Sequence, residues 1–207
     1  MLKASDIALG EDIQTVGTES VTALSDITAD AFRDDPFNSW LFGGFGPMHR
    51  TFANLARHVY TPNGFCQILS EEGEGRAATM WLLPEDKADS PLTGMLQTYW
   101  GLLASGGFSA LMRGKAAGEA MAKHHLKEPH AYLFTVGVGS AGRGRGLGRR
   151  LIQPVLDACD EKGTIAYLEN SNPANQRFYA SLGFERIELF HAASDSPPLE
   201  AMKRIAR

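Results

Sequence analysis

The chain's apolar positions follow two periods. Val21, Leu24, Ile27, Ala31 and Phe32 recur at helical spacing and predict a first helix over 19–33, ending before Asp35-Pro36. A short strand is expected near 12–17, ahead of it. A second helix is predicted over 47–60, opened by Pro47 in its first turn and stopped by Thr61-Pro62-Asn63-Gly64. Phe65–Ser70 and Arg76–Leu83 read as a hairpin joined by the polar loop 71–75. Residues 90–125 suggest two helices broken near Ser105-Gly106-Gly107, with Tyr99 and Trp100 as aromatic anchors. From Pro129 the periods alternate: strand His130–Val138, a glycine-arginine loop, helix 146–161, strand Thr164–Glu169, helix 173–182, and strands over 184–191 and 199–205. Strands interleaved with helices predict an α/β (α+β) sheet containing a parallel crossover. No repeat, low-complexity stretch or composition break divides the chain, so a single domain over 1–207 is expected.

Composition narrows the class. At 43% hydrophobic and 21% charged residues, the 207-residue chain has the content of a folded globular domain and not of a disordered one. Cys66 and Cys159 are too few for a disulfide scaffold and lack metal-ligand spacing. The adjacent His124 and His125 cannot share one helix face, so no metal site is expected. With no run of about 18 apolar residues and no signal-peptide pattern, a cytoplasmic location without a membrane partner is expected. The net charge of −4 argues against nucleic-acid binding. Its distribution is more informative: residues 1–35 carry −6, the remainder +2, and Arg143, Arg145, Arg149 and Arg150 crowd one short stretch.

That stretch carries the candidate chemistry. An apolar strand, Tyr132 to Val138, runs into Gly139-Ser140-Ala141-Gly142-Arg143-Gly144-Arg145-Gly146-Leu147-Gly148, which opens a helix. Such a turn offers successive backbone N–H groups at the positive end of a helix, a site suited to phosphate oxygens. A Walker A loop is excluded because no Lys-Ser or Lys-Thr pair closes the glycine run, and the GxGxxG spacing fails from both Gly142 and Gly144. Arg-x-x-Gly-x-Gly is met by Arg143, Gly146 and Gly148, and Asn172-Pro173-Ala174-Asn175 leads to Tyr179 and Gly183-Phe184.

With these two motifs in this order, the chain resembles the GCN5-related N-acetyltransferase (GNAT) superfamily. Lys127 to Leu133 and Leu168 to Ser171 are similar to the branch containing puromycin N-acetyltransferase, and the close likeness covers about 124–190. The resemblance implies a mixed, twisted sheet of about six or seven strands flanked by helices and splayed at the acetyl-CoA site. It implies acceptor-side elements over about 1–125 and an acetyl-CoA-binding core over about 126–207. Val136, Gly137 and Val138 would lie along the pantetheine arm; Arg143, Gly144, Arg145, Gly146, Leu147, Gly148 and Arg149 would face the pyrophosphate, chiefly through backbone N–H groups; Asn172 would contact the arm while capping the following helix.

Tyr179 matches the family tyrosine that protonates the departing thiolate. The base is less transferable, because no carboxylate lies between Pro129 and Val138, where many relatives carry a glutamate. Glu169 is the leading carboxylate, with His130 as the second choice. The acceptor pocket is expected from Asp34, Asp35, Phe37 and Trp40 together with Trp81, Tyr99 and Trp100, where acids beside aromatic faces suit a cationic amine. The implied activity is acetyl transfer from acetyl-CoA to a primary amine of a small molecule. A protein or peptide N-acetyltransferase and a non-catalytic acyl-CoA-binding module are the alternatives. Exposed strand edges and a mobile C-terminus would suit a homodimer.

Overall fold

The computed structural model describes residues 1–86 and 92–207. Its elements are β1 (Ile13–Thr15), α1 (Val21–Ala31), α2 (Pro36–Phe42), α3 (Phe45–Leu55), α4 (Thr61–Asn63), β2 (Phe65–Glu71), β3 (Glu74–Leu82), α5 (Leu92–His124), β4 (His130–Val138), α6 (Leu147–Lys162), β5 (Ile165–Asn170), α7 (Gln176–Ser181), β6 (Glu185–His191) and β7 (Pro198–Arg204). The strands form one seven-stranded sheet in the order β1-β2-β3-β4-β5-β7-β6. Among the described residues only β4 and β5 pair in parallel, and α6 is their crossover. The mixed sheet flanked by helices agrees with the expected fold class.

Three local results depart from the sequence pattern. Asp35-Pro36 does not merely stop a helix, because it also starts α2: the Asp35 side chain accepts from Asn38 N at 2.8 Å and Pro36 takes the first helical position. The β2–β3 connection is a tight turn, not the five-residue loop expected. Glu71 pairs with Glu74, and Glu72 and Gly73 take positive φ of 54° and 79°, a combination that suits the twist of a hairpin. The break expected in 90–125 is a kink at Gly107, whose φ of 64° and ψ of −159° interrupt α5.

The sheet buries both faces. On one face Trp81, Leu133 and Leu168 pack with Ile152 and Leu156 of α6 and with Phe184; on the other Met80, Tyr132 and Tyr167 pack with Leu24 of α1, Tyr60 and Ala117 of α5. Alternation along β4 is interrupted by a bulge: Leu133 pairs with Trp81 and Thr135 with Met80, leaving Phe134 extra. A bulge sharpens the local twist. The parallel ladder to β5 is short, running from His130–Ile165 to Tyr132–Tyr167, and it stops there although both strands continue. From Leu133 onward β4 and β5 diverge, as the sequence resemblance implied.

At the far end of β7, Arg204 is 4% exposed and locks the sheet to α6. Its guanidinium donates twice to Asp160 at 2.7 Å and once to the Leu182 carbonyl at 2.9 Å. Hydrogen bonds from Arg204 hold the Asp160 carboxyl below the usual aspartate value. This stabilisation is therefore complete above that usual value and is lost as pH falls through the lowered one. Arg204→Ala is expected to cost about 3 kcal/mol in urea unfolding at neutral pH, since it strands a partly buried carboxylate, with the difference from wild type shrinking at acid pH.

Candidate active site

The loop after β4 is shaped by glycines and held by the N-terminal acids. Gly139 N–H donates to the Arg76 carbonyl at 2.9 Å, and Ser140 N–H donates to Asp30 Oδ2 at 2.6 Å. That backbone bond keeps the Asp30 carboxyl below its ordinary value, despite some burial. Gly144 and Gly146 adopt φ of 77° and 75°, and Gly146 caps α6 without any side-chain acceptor. The N–H groups of Leu147, Gly148 and Arg149, in the first turn of α6, therefore have no carbonyl one turn earlier to bond and remain available to an anion.

Most of the arginine side chains here are engaged within the protein. Arg143 donates to the carbonyls of Asp30 and Ala31 at 3.2 and 3.5 Å, at the end of α1. Arg145 pairs with Glu71 at 2.6 Å, and Arg150 with Asp12 and Glu71. Arg143 and Arg149 both line a cleft and form no salt bridge among the described residues; Arg149 bonds the Ser181 hydroxyl and no backbone carbonyl.

That cleft, of about 490 Å³, lies between the Gly142–Arg149 turn, the end of α1, and the Asn172–Tyr179 segment. Val136 and Val138 form its sheet wall. Asn172 uses Oδ1 to accept from Ala174 N–H at 3.0 Å, capping the turn before α7, which leaves its amide nitrogen as a donor. Asp34 and Asp35 also line the cleft. Asp35 is 5% exposed, and burial pushes its carboxyl up, opposed by bonds from Asn38 and from the Ser171 hydroxyl at 2.8 Å.

A second cavity, of about 330 Å³, opens on the other side of the β4–β5 gap. Phe32, Val136, Asn175 and Tyr179 line both. Tyr179 is buried, and its phenol is pushed well above the ordinary tyrosine value, first by burial and then by the Asp35 charge. Glu169 lies in the wall of the second cavity with its side chain 2% exposed. His125 Nδ1, 3.0 Å from Oε1, holds one carboxylate oxygen, while buried Oε2 has no hydrogen-bond partner. The His125 ring sits among His130, Tyr132 and Tyr167 at centroid distances of 4.9, 4.7 and 5.0 Å. Thr135 Oγ1, in the same cavity wall beside the bulge, is likewise buried and unpartnered.

The family model of the Acetyltransferase (GNAT) family matches residues 76–184, just over half of the chain. The chain belongs to the GNAT family. An uncharacterized N-acetyltransferase of Schizosaccharomyces pombe is 39% identical over 75 residues, covering 35% of this chain and 30% of that protein. The N-alpha-acetyltransferase RimI of Mycobacterium tuberculosis is 44% identical over 59 residues, covering 28% of this chain and 36% of its own. The matched segments span about a third of the length of these curated relatives. Among solved structures, histone acetyltransferase HPA2 and related acetyltransferase from Corynebacterium glutamicum shares the fold, with a TM-score of 0.69, 22% identity and coverage of 94% of this chain and 96% of that one.

The predicted site residues of this GNAT chain fall into distinct places. Val136, Val138, Arg143, Gly144, Gly146, Leu147, Gly148, Arg149, Asn172 and Tyr179 line the cleft, and Glu169 lines the adjoining cavity. Gly137 turns to α1 instead, where an added Cβ would lie 3.0 Å from Ala31 Cβ, and the Arg145 side chain points to Glu71. His130 lines neither cavity; its Nδ1–H donates to the Glu128 carbonyl at 2.7 Å, and burial lowers its basicity.

Of the acceptor-side aromatics, Phe37 lines the second cavity, Trp81 is fully buried in the core, Trp100 is 67% exposed, and the Tyr99 side chain lies outside the described residues. Trp40 packs on Phe37 at 5.5 Å between ring centroids. His125, Asn175 and Thr135 went unmarked as site residues in the sequence. Asn175 had a signal, its place between the two motif ends; the other two had none, because their positions depend on α5 docking and on the bulge. Among the described residues no cluster of metal ligands forms, and no helix is long and apolar enough to cross a membrane.

The positive φ at Gly146 gives a direct test of the loop. Gly146→Val is expected to lose about 1–2 kcal/mol in chemical denaturation, because a β-branched residue is strained in the left-handed region.

Proposed function

We propose that the chain transfers the acetyl group of acetyl-CoA to a primary amine of a small molecule. One observation carries this reading: two cavities, one bounded by free helix-terminal N–H groups and the other containing a buried carboxylate, meet at Tyr179 in the gap between β4 and β5. Acetyl-CoA fits the first. The diverging edge of β4 at Val136 and Val138 suits an extended pantetheine arm, the first turn of α6 suits the pyrophosphate, and Arg149 is the side chain left to face a phosphate.

The amine enters the second cavity and attacks the thioester carbonyl, forming the C–N bond as the C–S bond breaks. Glu169 Oε2 takes the proton from nitrogen, and the Tyr179 hydroxyl gives one to the departing sulfur; solvent exchange restores both groups. His125 holds Glu169 in place and, at 32% side-chain exposure, connects it to solvent. Because the Tyr179 phenol stays protonated across the working range, it is available as an acid wherever the amine is neutral. A peptide acceptor is the second reading, favoured by the kinship with RimI.

Calorimetry should detect CoA binding, and thiol release should follow addition of a suitable amine; no detectable binding at high micromolar CoA would overturn the reading. Tyr179→Phe and Glu169→Gln should each lower kcat by about 100-fold or more with little change in CoA affinity. Alkyl ammonium groups titrate near pH ~10, so kcat/KM should climb with pH and show no falling limb from Tyr179 below that point. Arg149→Ala should weaken CoA binding about tenfold, whereas Arg145→Ala, which removes a side chain committed to Glu71, should leave it within about twofold.

A further inference from the structure

Resting on the proposed transferase reading, we infer that the acceptor is a lipophilic monoamine, an aryl-alkyl amine carrying one ammonium group, rather than a polyamine, an aminoglycoside or a peptide N-terminus. The second cavity decides this. Its body is aromatic and apolar, with Phe32, Phe37, Phe42, Phe52, Met121 and Phe134 in the walls. Glu169 is the sole formally charged side chain among the described residues that line it; the Tyr132 and Tyr167 hydroxyls lie beside its carboxylate, and buried Oε2 makes no close hydrogen bond. One carboxylate in this enclosure accommodates one cation; Asp34 and Asp35 line the adjoining cleft and not this cavity, so a second ammonium group held within it would be desolvated with no counter-charge. At about 330 Å³ the cavity lies at the small end of the roughly 300–1,000 Å³ of small-molecule sites. Thr135 Oγ1, buried and unpartnered in the same wall, joins neutral polar side chains such as Asn38, Ser171 and Asn175 that add hydrogen-bonding groups but no charge.

Helix α5, which lines the cavity through Leu102 to Met121, excludes a longer acceptor. Helix α5 crosses from the α2–α3 side to the far strands. Arg113 Nε donates to the Leu41 carbonyl at 3.4 Å, and Leu102 packs with Phe42, Met48 and Phe52. At the other end, His124 pairs with Glu188 at 2.9 Å and stacks on Phe190 at 4.4 Å, while His125 holds Glu169. An extended peptide needs an open groove or sheet edge, and here it would have to displace a helix fixed at both ends. The stretch of α5 that borders the cavity carries Gly114, Ala117 and Gly118; Leu102 fills the space at Gly114, where a Cβ would lie 2.6 Å from its Cδ1, and the open position is Gly118. A Cβ built on Gly118 meets nothing within 4 Å.

The test is thiol release by the full chain with acetyl-CoA and, in parallel, 2-phenylethylamine, tryptamine, spermidine, an aminoglycoside, puromycin and a decapeptide with a free N-terminus. The aryl-ethylamines should give kcat/KM at least tenfold above spermidine, the aminoglycoside and the peptide, and Gly118→Leu should raise KM for tryptamine several-fold while CoA affinity by calorimetry stays unchanged. Efficient turnover of the peptide or spermidine with silence on the aryl-ethylamines would overturn the inference and leave the transferase reading standing. An unchanged tryptamine KM in Gly118→Leu would overturn the assignment of the pocket. CoA binding with silence on every amine would overturn both readings.

Discussion

The parting of β4 from β5 is the constraint on which the rest of the molecule depends. The two strands share a parallel ladder of only three residue pairs and then separate beside the Phe134 bulge. A buried strand edge normally finds hydrogen-bond partners, because unpaired backbone N–H and C=O groups are costly. Here the edge borders two cavities that meet across the gap. The acid candidate stands where they join, and the base candidate ends the strand that moved away. An unbroken ladder from Tyr132 to Val138 would close the gap and leave neither residue access to a common substrate.

Charge organises the surroundings differently from the way a basic loop suggests. The acid-rich N-terminal segment does not simply flank the amine site, because much of it supports the loop and α6: Asp30 fixes Ser140, Asp12 pairs with Arg150 in the first turn, and Asp6 holds Lys162 at the far end of the helix at 2.9 Å. Glu71 takes Arg145. With these guanidinium groups engaged, anion recognition in the proposed reading falls chiefly to fixed backbone dipoles, with Arg149 beside them. Fixed dipoles need no reorganisation on binding, whereas free arginines would have to be ordered.

Much of this was legible from local sequence. The periods located β4, α6 and β5 to within a residue or two, and the glycine run marked the turn in which Gly144 and Gly146 take positive φ. What was not legible depended on distant partners. Asp35-Pro36 contains both a stop and a start, and α2 forms because Asn38 can return a hydrogen bond to the capping carboxylate. Trp81 and Trp100 looked equivalent as pocket aromatics, yet one is fully buried and the other largely in solvent, since a strand facing two helix layers and the outer side of a long helix carry similar residues. The partner of Glu169 could not be read from the chain because His125 reaches it only after α5 has crossed the sheet.

Hydrogen exchange across 133–149, with and without CoA, tests the central claim most directly. Gly137 pairs with Ala78 of β3, whereas the N–H groups of Val136 and Val138 face the gap and those of Leu147 to Arg149 open α6, so the account predicts rapid exchange in the free protein and strong protection on adding CoA at Val136 and Val138 and at Leu147 to Arg149 together. Protection confined to other segments, or unchanged exchange in both stretches under saturating CoA, would contradict it.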